Sequence, residues 1–479
     1  MKWGGLFLGM MALFTAFLVM GCGKGTVPDS QLKAVSDRVP LAWSASRAGR
    51  SGVDEQWVSR FGDRQLSALV SEAVANNPSM ASARERVNQA VILAKAARAP
   101  ALPQVNAGLT GSRTQQVFVG LPIPGTSGVL DSFATTFGAS LNVSWEPDIW
   151  GRIAASQSAE LARLGAETNS FRAAQASLAG QVVRAWLALG EANEQLALTY
   201  ESLAIRKQTE EAIEERFAQS MGDEGGTAAQ LRLARTDTAN AEGTIERWKA
   251  EVERAQRQLE LLVGRYPVGR VGEGMTLPDL PPKPPKGLPS ELLQRRPDVL
   301  EAERRFAAAI KDARVAHLAR FPSFSLTSST GRTSDTFSDL LDSDFGVWSL
   351  GGNLATPILN GGQLKANFQR ASSIERGALA DLQRQVLDAF GEVEQALIAD
   401  HYFDQQVAAA QRALKESEEA DRASARDYAE GVDTILTLLQ ARTQRTQIAS
   451  QVITLRRQRL QNRVDLHLAL GGDFQIRGK

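Results

Sequence analysis

Few side chains in this 479-residue chain could do covalent or metal chemistry: one cysteine, Cys22, and three histidines, His317, His401 and His467. The histidines stand on separate helical stretches without cysteine neighbours or ligand spacing, so they do not read as a metal site. Glycine pairs begin at Gly225, Gly351, Gly361 and Gly471, and none is followed by the Lys-Ser or Lys-Thr of a phosphate loop. No grouping of nucleophile, base and acid stands out, and the chain reads as a non-enzyme with no catalytic, cofactor-binding or metal residues. Lys plus Arg and Asp plus Glu are 54 each, so a net charge of zero gives no reason to expect nucleic acid as a partner.

Cys22 does carry a chemistry. Residues 1–21 combine Lys2 with the uncharged run GGLFLGMMALFTAFLVM, the length of an export signal and short for a membrane span. Val19-Met20-Gly21-Cys22 resembles the lipobox of bacterial lipoprotein signals. Cleavage before Cys22 would leave its sulfur to carry diacylglycerol and its amine an acyl chain such as palmitate. A plain signal peptide with an incidental thiol is the alternative, but a free thiol in an oxidising compartment is a liability. Lipid chains contribute roughly 0.8 kcal/mol per buried methylene, so two or more anchor the chain stably. No later segment offers 18 uncharged apolar residues, and no membrane-spanning helix is expected after the signal.

Behind an anchored extension, residues 22–60, the chain is written twice. ANNPSMASARERVNQAVILAKAARAPALPQV from Ala75 aligns with QRRPDVLEAERRFAAAIKDARVAHLARFPSF from Gln294, placing Pro78 on Pro297 and Pro103 on Pro322 at one offset. Further on, Ala234-Arg235-Thr236 meets Ala441-Arg442-Thr443, and Gly264 meets Gly471 as the stop of an apolar helix. The repeats span residues 61–264 and 290–472. A proline-rich linker, 265–289, lies between them and is expected to run extended over the surface, and 473–479 form a tail.

Each repeat opens with a helical stretch, about 63–99 and 297–319, followed by two strand-like segments, a very long helix, a turn and a shorter returning helix. From Arg152 to about Ser220 there is no proline, and apolar residues recur every seven: Leu164, Phe171, Leu178 on one line, Val182, Leu189, Leu196 on another. The second repeat does the same with Val386, Val393, Val407 and Leu414, interrupted by Asp400. Such a helix would be on the order of 100 Å long. The turns MGDEGGT and EGVDT reverse the chain, making each half a long antiparallel hairpin. By periodicity alone this would be a soluble coiled-coil scaffold.

The strand segments argue otherwise. In FGASLNVSWEPDIW, Phe137, Ala139, Leu141, Val143 and Trp145 share one face and Ser140, Asn142, Ser144 and Glu146 the other. Segments from Gln104, Phe321 and Val347 are weaker versions, of lengths that suit tilted transmembrane strands, with Trp145, Trp150, Phe321 and Trp348 near their ends as an aromatic girdle would be. Four strands have two open edges, which lipid forbids. Copies must therefore pool strands; two would give a filled eight-stranded barrel, three a twelve-stranded one with room for a channel.

LPSELLQRRPDVLEAERRFAAAIKDARVAHLARFPSFSL (288–326), WEPDIWGR (145–152), PILNGG (357–362), YAEGVDTILTLLQAR (428–442) and LALGGDF resemble the outer-membrane lipoprotein channels of tripartite efflux pumps, the TolC-like, OprM and NodT type. The likeness runs from about Phe61 to Phe474. It implies an α+β homotrimer in the bacterial outer membrane, a β-barrel continued by a periplasmic coiled-coil tunnel. Its implied partners are outer-membrane lipid, a periplasmic adaptor (membrane fusion) protein and an inner-membrane pump of the resistance-nodulation-division type, as in multidrug resistance. The resemblance further implies adaptor contacts at the hairpin tips, Gly222, Asp223, Gly431 and Val432, and a periplasmic aperture at Asp433, Thr437 and Gln440. Family members usually carry Asp where this chain has Gln440 before Ala441, so a ring of charge would be replaced by one of amides. A non-conducting periplasmic tether and the outer channel of a protein-secretion system are the other two readings.

Overall fold

A computed structural model describes residues 43–44, 57–118, 130–219, 227–284 and 289–472. These fall into two compact units, one comprising 88–166 and 303–381, the other the remaining described residues. Cys22 with its signal, Gly222, Asp223 and the tail lie outside the described residues.

The first unit holds a four-stranded antiparallel sheet in the order β1 (Gln104–Phe118), β2 (Leu130–Trp145), β3 (Ser323–Ser334), β4 (Gly346–Ala355). Every strand pairs with its sequence neighbour, leaving β1 and β4 as open edges. The register sets Val105 opposite Val143, Leu141 opposite Thr330 and Ser328 opposite Leu350, so one face collects the apolar positions of all four strands. Strand β2 begins seven residues before the alternation recognised from Phe137. The stretch LDSFATT keeps the period of two, but polar residues intrude on its apolar side. Both prolines aligned across the repeat have the same job: Pro103 and Pro322 each stand directly before a strand.

WEPDIWGR is the joint from sheet to helix. Gly151, at φ 77°, turns the chain, and the Asp148 carboxylate accepts from the N–H groups of Ile153 and Ala154 at 3.0 and 2.7 Å, capping the following helix. Trp150 donates its indole N–H to the Pro322 carbonyl at 2.7 Å and packs on Phe321; Trp145 donates to Ala101 at 3.0 Å. Three of the four expected girdle aromatics thus gather at one end of the sheet. Trp348, 81% exposed, stands toward the other.

The remaining elements are helices: α1 (Arg64–Asn76), α2 (Pro78–Ala96), α3 (Arg152–Gln219), α4 (Ala228–Val263), α5 (Pro289–Arg295), α6 (Pro297–Leu318), α7 (Gln363–Ala429) and α8 (Ile435–Ala469). Helices α3 and α7 have 68 and 67 residues, so the two halves match in their longest element. In the second unit the heptad lines are buried as expected, with Leu178, Val182 and Leu189 in one core with Leu66 and Val70 of α1, Leu259 of α4 and Val464 of α8.

The two halves end alike. Past α4 the N–H of Arg265 donates to Glu260 at 2.8 Å, and past α8 that of Gly472 donates to His467 at 2.9 Å, with Gly264 and Gly471 at φ 84° and 77°. A Cβ on Gly264 would also lie 2.7 Å from the Asn76 carbonyl, so this position needs glycine on two counts.

The linker departs from expectation. Val271 and Leu277 are buried, and two carboxylates hold its backbone: Glu260, 1% exposed, accepts from Gly269 and Arg270 at 2.7 and 2.9 Å, and Glu194 from Leu277 at 2.9 Å. A proline-rich segment forms neither ladder nor helix, so the N–H groups of Gly269, Arg270 and Leu277 go to side chains of the body it crosses. Its last residue, Pro289, opens α5, because proline is tolerated at the first helical position.

Candidate functional site at the helical tips

The turn between α7 and α8 is local in construction. Gly431 takes φ 75°, and the N–H groups of Val432 and Asp433 both donate to the Asp427 carbonyl, at 2.8 and 3.2 Å. Thr434 caps α8, its hydroxyl accepting from the Thr437 N–H at 3.4 Å and lying 3.2 Å from the Thr437 hydroxyl. Val432 is left 77% exposed and Leu436 54%, an apolar pair at the end of the hairpin.

Thr437, Gln440 and Gln444 lie at i, i+3 and i+7, on one face of α8. Together with Leu439, Ala441 and Thr443 they line an open depression of ≈ 680 Å³. The structure thus brings Thr437 and Gln440 together. Asp433 is not part of that wall; its carboxylate turns back to accept from the Thr434 N–H at 2.6 Å. On the other hairpin, Thr227 caps α4 reciprocally with Gln230, at 3.3 and 2.9 Å.

What joins the two hairpins is an apolar cluster and a band of ion pairs. Ile213 of α3, Leu231 and Ala234 of α4, and Ile435 and Leu438 of α8 are buried together, with Tyr428 of α7 against them and the Arg216 guanidinium 4.9 Å from its ring centre. Arg206 on α3 pairs with Asp237 on α4; Arg442 on α8 lies 3.5 Å from Asp421 on α7 and donates to the Thr209 hydroxyl on α3; Arg445 pairs with Glu201 on α3 at 2.5 Å. Four helices are therefore tied by charge within a few turns of their ends. Burial pushes the Arg442 and Arg206 guanidiniums below the usual arginine range, and the charge of Arg442 lowers Arg206 further, as that of Arg445 does Arg442. The Glu201 hydrogen bond instead holds Arg445 above it.

None of these seven side chains was expected as a site. One signal was present in the repeat: Arg442 aligns with Arg235, which in the first half pairs with Glu214 at 2.7 Å on an open surface, 42% exposed against 17% for Arg442. Sequence shows two equivalent arginines; only the fold shows that one is enclosed. Among the described residues no group of His, Cys, Asp and Glu is arranged to hold a metal ion.

Residues 69–265 and 288–472 match the family described as outer membrane efflux protein. The pyoverdine export outer membrane protein OpmQ of Pseudomonas aeruginosa is 32% identical, over 97% of each chain, and the cation efflux system protein CusC of Escherichia coli (strain K12) is 27% identical over 97% of this chain and 99% of that one. Among solved structures, the outer-membrane channel OprN superposes with a TM-score of 0.81 at 25% identity, covering 91% of this chain and 97% of that one.

Proposed function

This chain belongs to the outer membrane efflux protein family, and we propose that three copies of it form the exit duct of a tripartite pump, passively conducting small molecules delivered by an inner-membrane transporter and a periplasmic adaptor. It is an outer-membrane efflux channel component, and its fold is that of such channels.

One observation carries the assembly. The sheet has an apolar face, a polar face and two unpaired edges, β1 and β4. Edges are intolerable in lipid, and the smallest closure that leaves an open bore is three copies and twelve strands. The α7–α8 turn, with Val432 and Leu436 exposed, is the surface offered to the adaptor, and Thr437 and Gln440 narrow the periplasmic mouth. Cys22 holds the chain to the membrane by its lipid. OpmQ exports pyoverdine and CusC cations by their names, so relatives of similar likeness differ in cargo, and a passive duct reads the size and charge of its small-molecule cargo only loosely.

Native mass measurement after detergent extraction, followed by conductance in a planar bilayer, tests this. Three copies and discrete conductance steps are expected. A monomer or dimer that does not conduct would instead support a periplasmic tether.

A further inference from the structure

We infer that the bore of the barrel is electrically neutral, so that the membrane section of the duct passes neutral, zwitterionic and ionised cargo of either sign and leaves any choice by charge to residues outside the sheet. The inference rests on the closed-barrel reading above.

The strand register decides which residues share a face. Ser140 stands opposite Gly108 and Gly331, and Asn142 opposite Asn106 and Ser329, so these belong to the face away from Leu109, Leu141 and Leu350. In a membrane barrel the apolar face meets lipid and the other meets water. On the water face, from Gln104 to Gln116, Ser132 to Ser144, Ser323 to Thr333 and Val347 to Ala355, every position is Ser, Thr, Asn, Gln, Gly or Ala except Val347. The strands do contain charge, but Arg113, Asp131 and Arg332 all fall on the opposite face, and Glu146, which continues the water face just past β2, is neutralised by Arg152 at 2.7 Å. There Arg113 lies 5.5 Å from the Phe133 ring centre, Gln115 donates to Asp131 at 2.7 Å, and Arg332 donates to the Leu340 carbonyl at 3.1 Å, all toward the ends where β1 turns to β2 and β3 to β4.

A wall of hydroxyls and amides can exchange hydrogen bonds with cargo of any charge. It has no fixed ion to concentrate one sign and exclude the other, which is how rings of carboxylates or guanidiniums select. The β3–β4 connection does carry Asp335, Asp339, Asp342 and Asp344. Asp335, the first residue past β3, is six residues from Ser329, the partner of Asn142, or roughly 20 Å at the rise of a strand. That exceeds two Debye lengths of about 8 Å at 0.15 M salt, so these carboxylates are screened at mid-wall.

The test uses the full-length protein in vesicles at 0.15 M salt, with Asn142→Cys as an inward probe and Leu141→Cys as a lipid-facing one. Each is challenged with an anionic and a cationic membrane-impermeant methanethiosulfonate of similar size. Rates are corrected for the reagents' reactivity with a free thiol and for background labelling of the unsubstituted protein, whose one cysteine, Cys22, is consumed by lipid in this reading. At Asn142→Cys the two reagents should react within about twofold of each other, and adding Ser329→Asp beside it should favour the cation at least fivefold. Leu141→Cys should react with neither. A preference of tenfold or more at Asn142→Cys alone, with Leu141→Cys still silent, would overturn the neutral bore while leaving the barrel intact. Equal labelling of Leu141→Cys and Asn142→Cys would instead sink the barrel reading itself. Ser140→Cys serves as the inward probe should Asn142→Cys fail to assemble.

Discussion

Asp400 of α7 and Arg463 of α8 form an ion pair of 2.7 Å in which the side chains are 5% and 0% exposed. Asp400 is the residue that breaks the heptad line of Val393, Val407 and Leu414. Three heptads nearer the tip, Asp421 continues that line and meets Arg442, which stands the same 21 residues back along the antiparallel α8. Both aspartates on this line of α7 are thus matched by an arginine on its partner, an arrangement that favours this register of the hairpin, since sliding by one heptad would set Arg463 against Val393 or Val407 and Asp421 against Ile435 or Ala449. Lys283 of the linker also reaches Asp400, at 2.8 Å.

Removing one partner of the enclosed pair should be far costlier than removing both. Arg463→Met is expected to destabilise the protein by about 1–3 kcal/mol, because Asp400 loses its fully enclosed partner and keeps only Lys283 at the surface. The double variant Arg463→Met with Asp400→Leu should recover most of that loss. Denaturant midpoints of the detergent-solubilised protein check this; equal loss in the single and double variants would mean that the pair contributes net stability rather than register.

Arg296 makes a contact that the repeat duplicates with different chemistry. It donates to the Ala469 carbonyl at 3.4 Å, while its counterpart Asn77 donates to Leu262 at 2.8 Å. The arginine, unlike the asparagine, needs counter-charges, and finds them in Asp298 at 2.6 Å and Glu392 at 2.5 Å. Burial alone would raise the Asp298 carboxyl, but the guanidinium beside it holds it below the usual carboxylate range. An acid with a folded pKa below its unfolded value stabilises fully above the unfolded pKa, about 4, and ceases to do so as pH falls through the folded one. Asp298→Asn should therefore cost about 1.5–3 kcal/mol at pH 7, and its midpoint should converge on the parent's as the pH is lowered below 4. A gap that stays constant down to pH 3 would assign the effect to packing.

Strands, hairpins and repeat were legible because each rests on a period. Pro78 and Pro297 open helices α2 and α6, and Gly264 and Gly471 close α4 and α8, all where the duplicated sequence places them. What stayed hidden was fixed by contacts between residues far apart in sequence. Glu260 looks like a solvated helix residue, and only the path of the linker makes it a buried acceptor. Likewise Thr209 and Arg442 are 233 residues apart, and no spacing rule connects them.

The Arg442 tie has a local readout. Arg442→Ala would leave Asp421 with Arg445 alone, at 3.9 Å, and would deprive Thr209 and the Ile205 carbonyl of their donor across the hairpins. Amide exchange in the first turns of α8, residues 435–445, should accelerate by one to two orders of magnitude, with α8 beyond Val452 unchanged. Arg442→Lys should fall between, since a single ammonium cannot serve both an acid and a hydroxyl in the planar geometry of the guanidinium. Unaltered exchange in Arg442→Ala would show that the apolar cluster around Ile213 and Leu438 holds the tips unaided.

Gln440 tests the mouth itself. In the proposed trimer its three amides line the narrowest approach, where hydrogen bonds rather than charge close the path. Replacing each amide by a carboxylate adds three like charges across a short gap, which repel one another and attract cations. Gln440→Asp should therefore raise both conductance and cation preference in a planar bilayer, with the preference weakening at high salt as the ring is screened. Gln440→Ala should raise conductance without a change in preference, since it removes the hydrogen-bonding groups and adds no charge. Thr437, three residues before it on the same face, should behave in the same direction and more weakly, because its hydroxyl is engaged with Thr434. If both Gln440 variants conduct and select like the parent, this face of α8 does not border the path, and Thr437 and Gln440 pack against neighbouring helices instead.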